Sequence, residues 1–160
     1  MLPPLFAIER NGPGRLHTMV HPRGDWLPDE MRGLAAAEIG VLVSMLTDDE
    51  AAGLGLAGEG AAAAGAGTTF WRLPAPDRRV PDRAATLTMA SAIKGALHQG
   101  AGVAVHCRFG IGRSSTVAAA VLILEGLSPA AACDRIAAAR GLPVPDTPAQ
   151  RAFIEALATT

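Results

Sequence analysis

A chain of 160 residues, 49% apolar and 18% charged, has the profile of a folded globular protein and the length of one domain with a self-sufficient core. Its 14 basic and 15 acidic residues leave a net charge of −1, which excludes a global attraction to nucleic acid or to an anionic membrane, so any anion site has to be local. With 4% aromatics and no Tyr, the core must be packed by Ala, Leu, Val and Ile, and two cysteines 26 positions apart form neither a disulfide framework nor a CxxC site, a usage that suits a reducing compartment.

The start, Met1-Leu2-Pro3-Pro4-Leu5-Phe6-Ala7-Ile8, has no basic n-region and meets Glu9 and Arg10 before an apolar stretch develops. The most apolar later run, Thr116 to Leu124, is too short to cross a bilayer, and a soluble, cytoplasmic chain is expected. Leu5 to Ile8 and Leu16 to Val20 read as short strands joined by the turn Asn11-Gly12-Pro13-Gly14, an opening hairpin. A helix is expected over Leu27 to Ala37, beginning near Pro28-Asp29-Glu30. Ile39 to Leu46 suits a strand buried on both faces, and Thr47-Asp48-Asp49-Glu50 supplies an N-cap and an acidic first turn for a short helix. The Ala/Gly-rich stretch 53–67 allows a loose helix around Glu59 to Ala64. Thr69 to Leu73 reads as a strand, Pro74 to Pro81 as a loop, Asp82 to Gln99 as a long helix, and Val103 to His106 as a short apolar strand. Three helices close the chain: Arg113 to Glu125, one from Ser128-Pro129 to Arg140 before Gly141, and one from Asp146-Thr147-Pro148 to Leu157. Strands alternating with helices predict a single α/β domain over residues 1–160, with a mostly parallel central sheet of about four to five strands flanked by helices.

The chemistry concentrates in His106-Cys107-Arg108-Phe109-Gly110-Ile111-Gly112-Arg113-Ser114. The strand before it delivers Cys107 to the carboxyl end of the sheet, where open α/β sheets place ligands. Gly110 and Gly112 permit a backbone that turns successive N–H groups inward, and such a nest at a helix N-terminus suits a phosphate-like dianion. Arg113 adds a planar fork for two phosphate oxygens. The same donors favour the thiolate of Cys107, so the nucleophile and the binding pocket of its electrophile are one structure. Ser114 stands where its hydroxyl can donate to the sulfur.

Cys-x5-Arg-Ser, preceded by His after a short apolar strand, strongly resembles the signature loop of the protein tyrosine and dual-specificity phosphatases, on His106, Cys107, Gly110, Gly112, Arg113 and Ser114. The resemblance spans roughly residues 39–158 and implies a phosphotyrosine-phosphatase-like fold. It also implies attack of Cys107 on phosphorus, a phosphoryl group held by Arg113 and the loop residues Arg108, Phe109, Gly110, Ile111 and Gly112, and hydrolysis of a cysteinyl-phosphate with no cofactor and no metal. His106 then supports the loop rather than acting as a base.

The leaving group needs a proton, and Asp77 and Asp82 of the proline-rich loop lie 30 and 25 positions before Cys107. The segment 73–82 resembles the acid loop of the cyclin-dependent-kinase-associated and related small phosphatases, which selects Asp77; Asp82 stands where a helix N-cap is expected. Residues 140–150 resemble the closing segment of that family, where a polar residue, here Gln150, faces the site and positions water; an exposed Gln in a first helical turn is the competing reading. Arg23 is a surface-loop residue or a rim residue, His17, His21 and His98 are surface or loop residues with no metal-ligand spacing, and Cys133 is a small core side chain. The expected substrate is a phosphorylated protein, carrying phosphotyrosine and also phosphoserine or phosphothreonine. A small phosphomonoester, a phosphate-binding module without turnover and a rhodanese-like sulfurtransferase are the alternatives. The absence of lysine inside the loop sets the chain apart from the phosphoinositide-directed branch.

Overall fold

A computed structural model describes residues 2–158, and Met1, Thr159 and Thr160, the outermost residues of the expected domain, lie outside the described residues. The strands are β1 (Leu5–Ala7), β2 (Arg15–Met19), β3 (Ile39–Ser44), β4 (Thr69–Arg72) and β5 (Gly102–His106). The helices are α1 (Leu27–Ala36), α2 (Asp48–Gly53), α3 (Glu59–Gly65), α4 (Arg83–His98), α5 (Arg113–Leu124), α6 (Pro129–Arg140) and α7 (Pro148–Leu157), with a 3-10 turn at Gly24–Trp26 before α1. The five strands form one sheet in the order β1-β2-β5-β3-β4, antiparallel between β1 and β2 and parallel elsewhere. The α/β reading, the hairpin and the position of every expected helix agree with this architecture, with ends displaced by one or two residues. The strand expected to run to Leu46 stops at Ser44; Met45 N still donates to the His106 carbonyl at 2.9 Å, and Ser44 Oγ accepts from the Leu46 N–H at 3.3 Å.

Alternation along the strands builds two cores, as a pleated sheet requires. Val41, Val43, Val103 and Val105 face the layer containing α4, α5, α6 and α7, and Leu42, Ala104, Ile39 and Met19 face the layer with α1 and α3. Helix α5 is enclosed on all sides: every residue from Arg113 to Leu122 is buried. Its run Ala118-Ala119-Ala120 lets neighbouring helices approach closely, which is how a chain poor in aromatics packs densely. Helix α3 forms despite its glycines. An added Cβ at Gly60 would sit 3.0 Å from the Phe70 ring, so the missing side chain lets α3 lie against β4.

His17 departs from the expectation of a surface residue. It lies buried in β2 with Nδ1 3.1 Å from the Val103 carbonyl, and burial holds its pKa below the ordinary histidine value. Among the described residues, no helix is long and apolar enough to cross a membrane. Leu42, fully enclosed in the centre of β3, is a direct probe of the smaller core. Leu42→Ala is expected to cost about 2–5 kcal/mol, read from the urea midpoint.

Candidate active site

Strand β5 ends at His106, and Cys107 follows at the carboxyl edge of the sheet, 3% exposed. Loop 107–112 then turns into α5, whose first residue is Arg113. The loop carbonyls are tied outward: Arg108 O accepts from His21 N (3.3 Å), Phe109 O from Arg140 Nη2 (3.1 Å), Ile111 O from Ser115 Oγ (2.7 Å) and Gly112 O from Ser115 N (3.1 Å). In a planar trans peptide the N–H points opposite its carbonyl, so the N–H groups of Phe109, Gly110, Gly112 and Arg113 are turned the other way. Arg140 also stacks on Phe6 of β1, its guanidinium carbon 4.3 Å from the ring centroid, which fastens the loop to the opening hairpin.

The two loop glycines serve different needs. Gly110 has φ +70°, and a Cβ there would lie 2.8 Å from the Met19 carbonyl oxygen. Gly112 has φ −93° and ψ −83°, and the space a side chain would fill is also occupied. A Cβ at Gly112 would lie 2.8 Å from the Gln150 amide.

An open cavity of about 320 Å³ joins Cys107, Arg108, Phe109, Ile111, Gly112 and Arg113 to Asp77, Arg78, Asp146 and Gln150. Ser114 Oγ lies 3.3 Å from Cys107 Sγ, placed to donate to a thiolate. Phe109 is 58% exposed at the rim. Asp77 reaches the site: its Oδ1 accepts from Arg113 Nη2 at 3.1 Å. Asp82 instead caps α4, its Oδ2 accepting from Ala85 N at 2.9 Å. Gln150 is fully buried, against the reading of an exposed first-turn side chain. Its Oε1 accepts from Asp146 N and Thr147 N, and its Nε2 donates to the Arg79 carbonyl, pinning the loop that carries Asp77. Arg78, at φ +63°, bridges to Asp146 at 2.8 Å across the cavity mouth. Arg23 lies elsewhere, paired with buried Glu30 and lining a different cavity. Cys133 is buried in α6, and burial pushes its thiol up.

Two partners went unread in the sequence. Glu50 grips the guanidinium of Arg113 with both oxygens, at 2.6 and 2.9 Å, while Arg113 Nη1 also donates to the Ala75 carbonyl at 2.7 Å. Burial opposes the charge of Arg113, but the hydrogen bond to Glu50 and the charges of Cys107, Glu50 and Asp77 outweigh it and hold its pKa above the ordinary arginine value. The second is Glu59, 2.5 Å from His106 Nε2. Thr47-x-x-Glu50 carried the signal for a capping box, which forms, but nothing in the spacing showed that the Glu50 carboxylate also faces Arg113. A lone acid among alanines and glycines was the only sign at Glu59.

For Glu50, burial alone would raise the carboxyl; donation from Arg113 and Thr47 outweighs it, and the pKa falls below the ordinary glutamate value. Its ionised form therefore stabilises the fold above the unfolded-state glutamate range, about 4.3, and the benefit disappears as pH drops through the lower folded value. The stability gap between wild type and Glu50→Gln, from urea midpoints at a series of pH values, is expected to be constant near neutrality and to close below pH ~4. A gap independent of pH would contradict this account.

The fold is that of known phosphatase structures. The kinase associated phosphatase KAP, solved with serine replacing its catalytic-site cysteine, is 19% identical over 100% of this chain and 98% of its own, with a TM-score of 0.89. Tk-PTP in its active form is 24% identical over 96% of each chain, with a TM-score of 0.78. PTPMT1 in complex with PI(5)P is 23% identical over 89% of each, with a TM-score of 0.76. No curated protein matches the sequence. A family model, Tc-R-P, described as "Polymorphic toxin system, DSP-PTPase phosphatase", matches residues 17–127, so the chain belongs to this family of dual-specificity-type phosphatases.

Proposed function

We propose that the chain hydrolyses phosphotyrosine, and also phosphoserine or phosphothreonine, in proteins through a cysteinyl-phosphate on Cys107. The observation that carries this reading is the meeting of Cys107, Arg113 and Asp77 in one cavity, with Asp77 Oδ1 3.1 Å from Arg113 Nη2. In the free site Glu50 occupies one edge of the guanidinium and Asp77 takes a further donor. An arriving phosphoryl dianion takes the Nη2–H from Asp77 and meets the amides of loop 108–113, a phosphate-binding loop, while Glu50 keeps the fork oriented. Asp77, released from the arginine, takes up a proton from solvent and then faces the leaving oxygen.

The thiolate Sγ attacks phosphorus as the P–O ester bond breaks, and Asp77 gives its proton to the departing oxygen. Water then attacks the cysteinyl-phosphate. The carboxylate of Asp77 takes the proton of that water, the S–P bond breaks, inorganic phosphate leaves, and Ser114 donates to the returning thiolate. Gln150 supports this sequence by fixing the acid loop through Arg79, and His106 supports the loop at Cys107. A free catalytic thiol requires a reducing compartment, which supports a cytoplasmic site of action.

Hydrolysis of p-nitrophenyl phosphate, inhibited by vanadate, is the first measurement. Cys107→Ser is expected to lower it by about three orders of magnitude or more, and persistence of activity in that variant removes the nucleophile assignment. Asp77→Asn is expected to slow esters with poor leaving groups by about 10²–10⁴-fold while sparing p-nitrophenyl phosphate. The same signature in Asp82→Asn would transfer the acid's role there. Phosphopeptides compared with a phosphoinositide, the ligand class bound in the PTPMT1 structure, test the substrate class: preference for the lipid headgroup overturns the protein reading.

A further inference from the structure

On the face of the sheet opposite α5, behind the nucleophile, lies a pair of buried groups that the reaction steps leave unused. His106 is fully enclosed and Glu59 is 2% exposed, and Glu59 Oε2 stands 2.5 Å from His106 Nε2. The other ring nitrogen, Nδ1, lies 3.1 Å from the carbonyl oxygen of Cys107. A carbonyl oxygen only accepts, so Nδ1 carries a proton. Nε2 faces the Glu59 carboxyl, so the two share a proton position; with Glu59 as the carboxylate the ring donates from both nitrogens, as the imidazolium. Both groups are buried, and a carboxylate and an imidazolium there would compensate one another.

The surroundings single out this pair. Ser44 of β3 and Met19 of β2, the strand neighbours of His106, bring no charge. Asp48 and Arg72 line the 230 Å³ cavity beside Glu59 but are paired with each other at 2.7 Å. On the nucleophile side stand Cys107 itself and the cluster of Arg113, Glu50 and Asp77. Glu59 is delivered by the first position of α3, a helix whose Gly60 allows its close seat on Phe70.

We propose that Glu59 is a positioning residue of the nucleophile: its ion pair holds His106 as the imidazolium, commits Nδ1–H to the Cys107 carbonyl, and keeps a buried positive charge one residue from the thiolate. This rests on Cys107 being the nucleophile. Carboxylate, imidazolium and backbone carbonyl form a line from the Ala/Gly-rich helix to the reactive loop. The positive end of the Glu59–His106 pair faces Cys107, so removing the carboxylate removes the reason for the ring to stay charged and weakens the bias toward thiolate.

The test is the pH dependence of Cys107 alkylation by iodoacetate, located by peptide mass spectrometry, in wild type, Glu59→Gln and Glu59→Ala, with Cys107→Ser as the control. Gln retains a hydrogen-bond donor for a neutral ring, so packing is preserved while the charge is lost. The alkylation midpoint is expected to rise by about one pH unit in Glu59→Gln, a tenfold loss of thiolate below the midpoint, and the acid limb of kcat/KM is expected to move with it. An unshifted midpoint in folded Glu59→Gln overturns the proposal and leaves Glu59 as a packing partner. Should neither variant fold, the ¹⁵N spectrum of the His106 ring in the wild-type protein decides: two protonated nitrogens at pH 7 support it, and one unprotonated nitrogen overturns it. A wild-type Cys107 that resists alkylation at every pH overturns the nucleophile assignment together with the inference resting on it.

Discussion

The guanidinium of Arg113 is the point on which the site depends. It is 1% exposed, and a cation taken that far out of water survives only where it is fully met by acceptors. Four residues from three parts of the chain supply them: Glu50 from α2, the Met45 carbonyl just past β3, and Ala75 and Asp77 from the loop after β4. Arg113 itself begins α5. One side chain thus ties together the nucleophile helix, the acid loop and the first turn of α2, and the cost of burying its charge keeps them assembled before any substrate arrives.

The remaining contacts repeat this pattern of holding a reactive loop from outside. Arg140 and His21 take loop carbonyls, Ser115 takes two more, and Gln150 fills the space left by Gly112 while holding Arg79. Almost none of these residues needs to touch the reacting phosphorus. Their effect is preorganisation: amide dipoles are fixed before charge develops, so no reorganisation is needed during reaction.

How much of this the sequence carried depends on how local each signal was. Strand β5, the glycines of the loop and the start of α5 are contiguous, so the nucleophile unit was legible from residues 103–114 alone. The proline-rich loop and its two aspartates were legible as candidates, and the spacing to Cys107 with the resemblance of segment 73–82 favoured Asp77. Glu50 and Glu59 were out of reach because their partners lie 63 and 47 positions away, and neither pairing leaves a periodic trace. His17 was misread for a related reason: an isolated histidine beside Leu16 gives no sign that the Val103 carbonyl waits across the sheet. At Gly112 nothing in the sequence signalled that the Gln150 amide sits where a Cβ would go.

The contact between Asp77 and Arg113 has one more consequence. The Asp77 carboxylate occupies an Arg113 donor that an incoming anion would need, so it stands as a tethered competitor for the fork. A monoanionic ligand such as a phosphodiester merely exchanges one negative charge for another and gains little. A phosphomonoester dianion would bring a second charge to set against the displacement of Asp77. The Asp77–Arg113 ion pair thus sets a charge threshold that an anion taking this donor would have to meet.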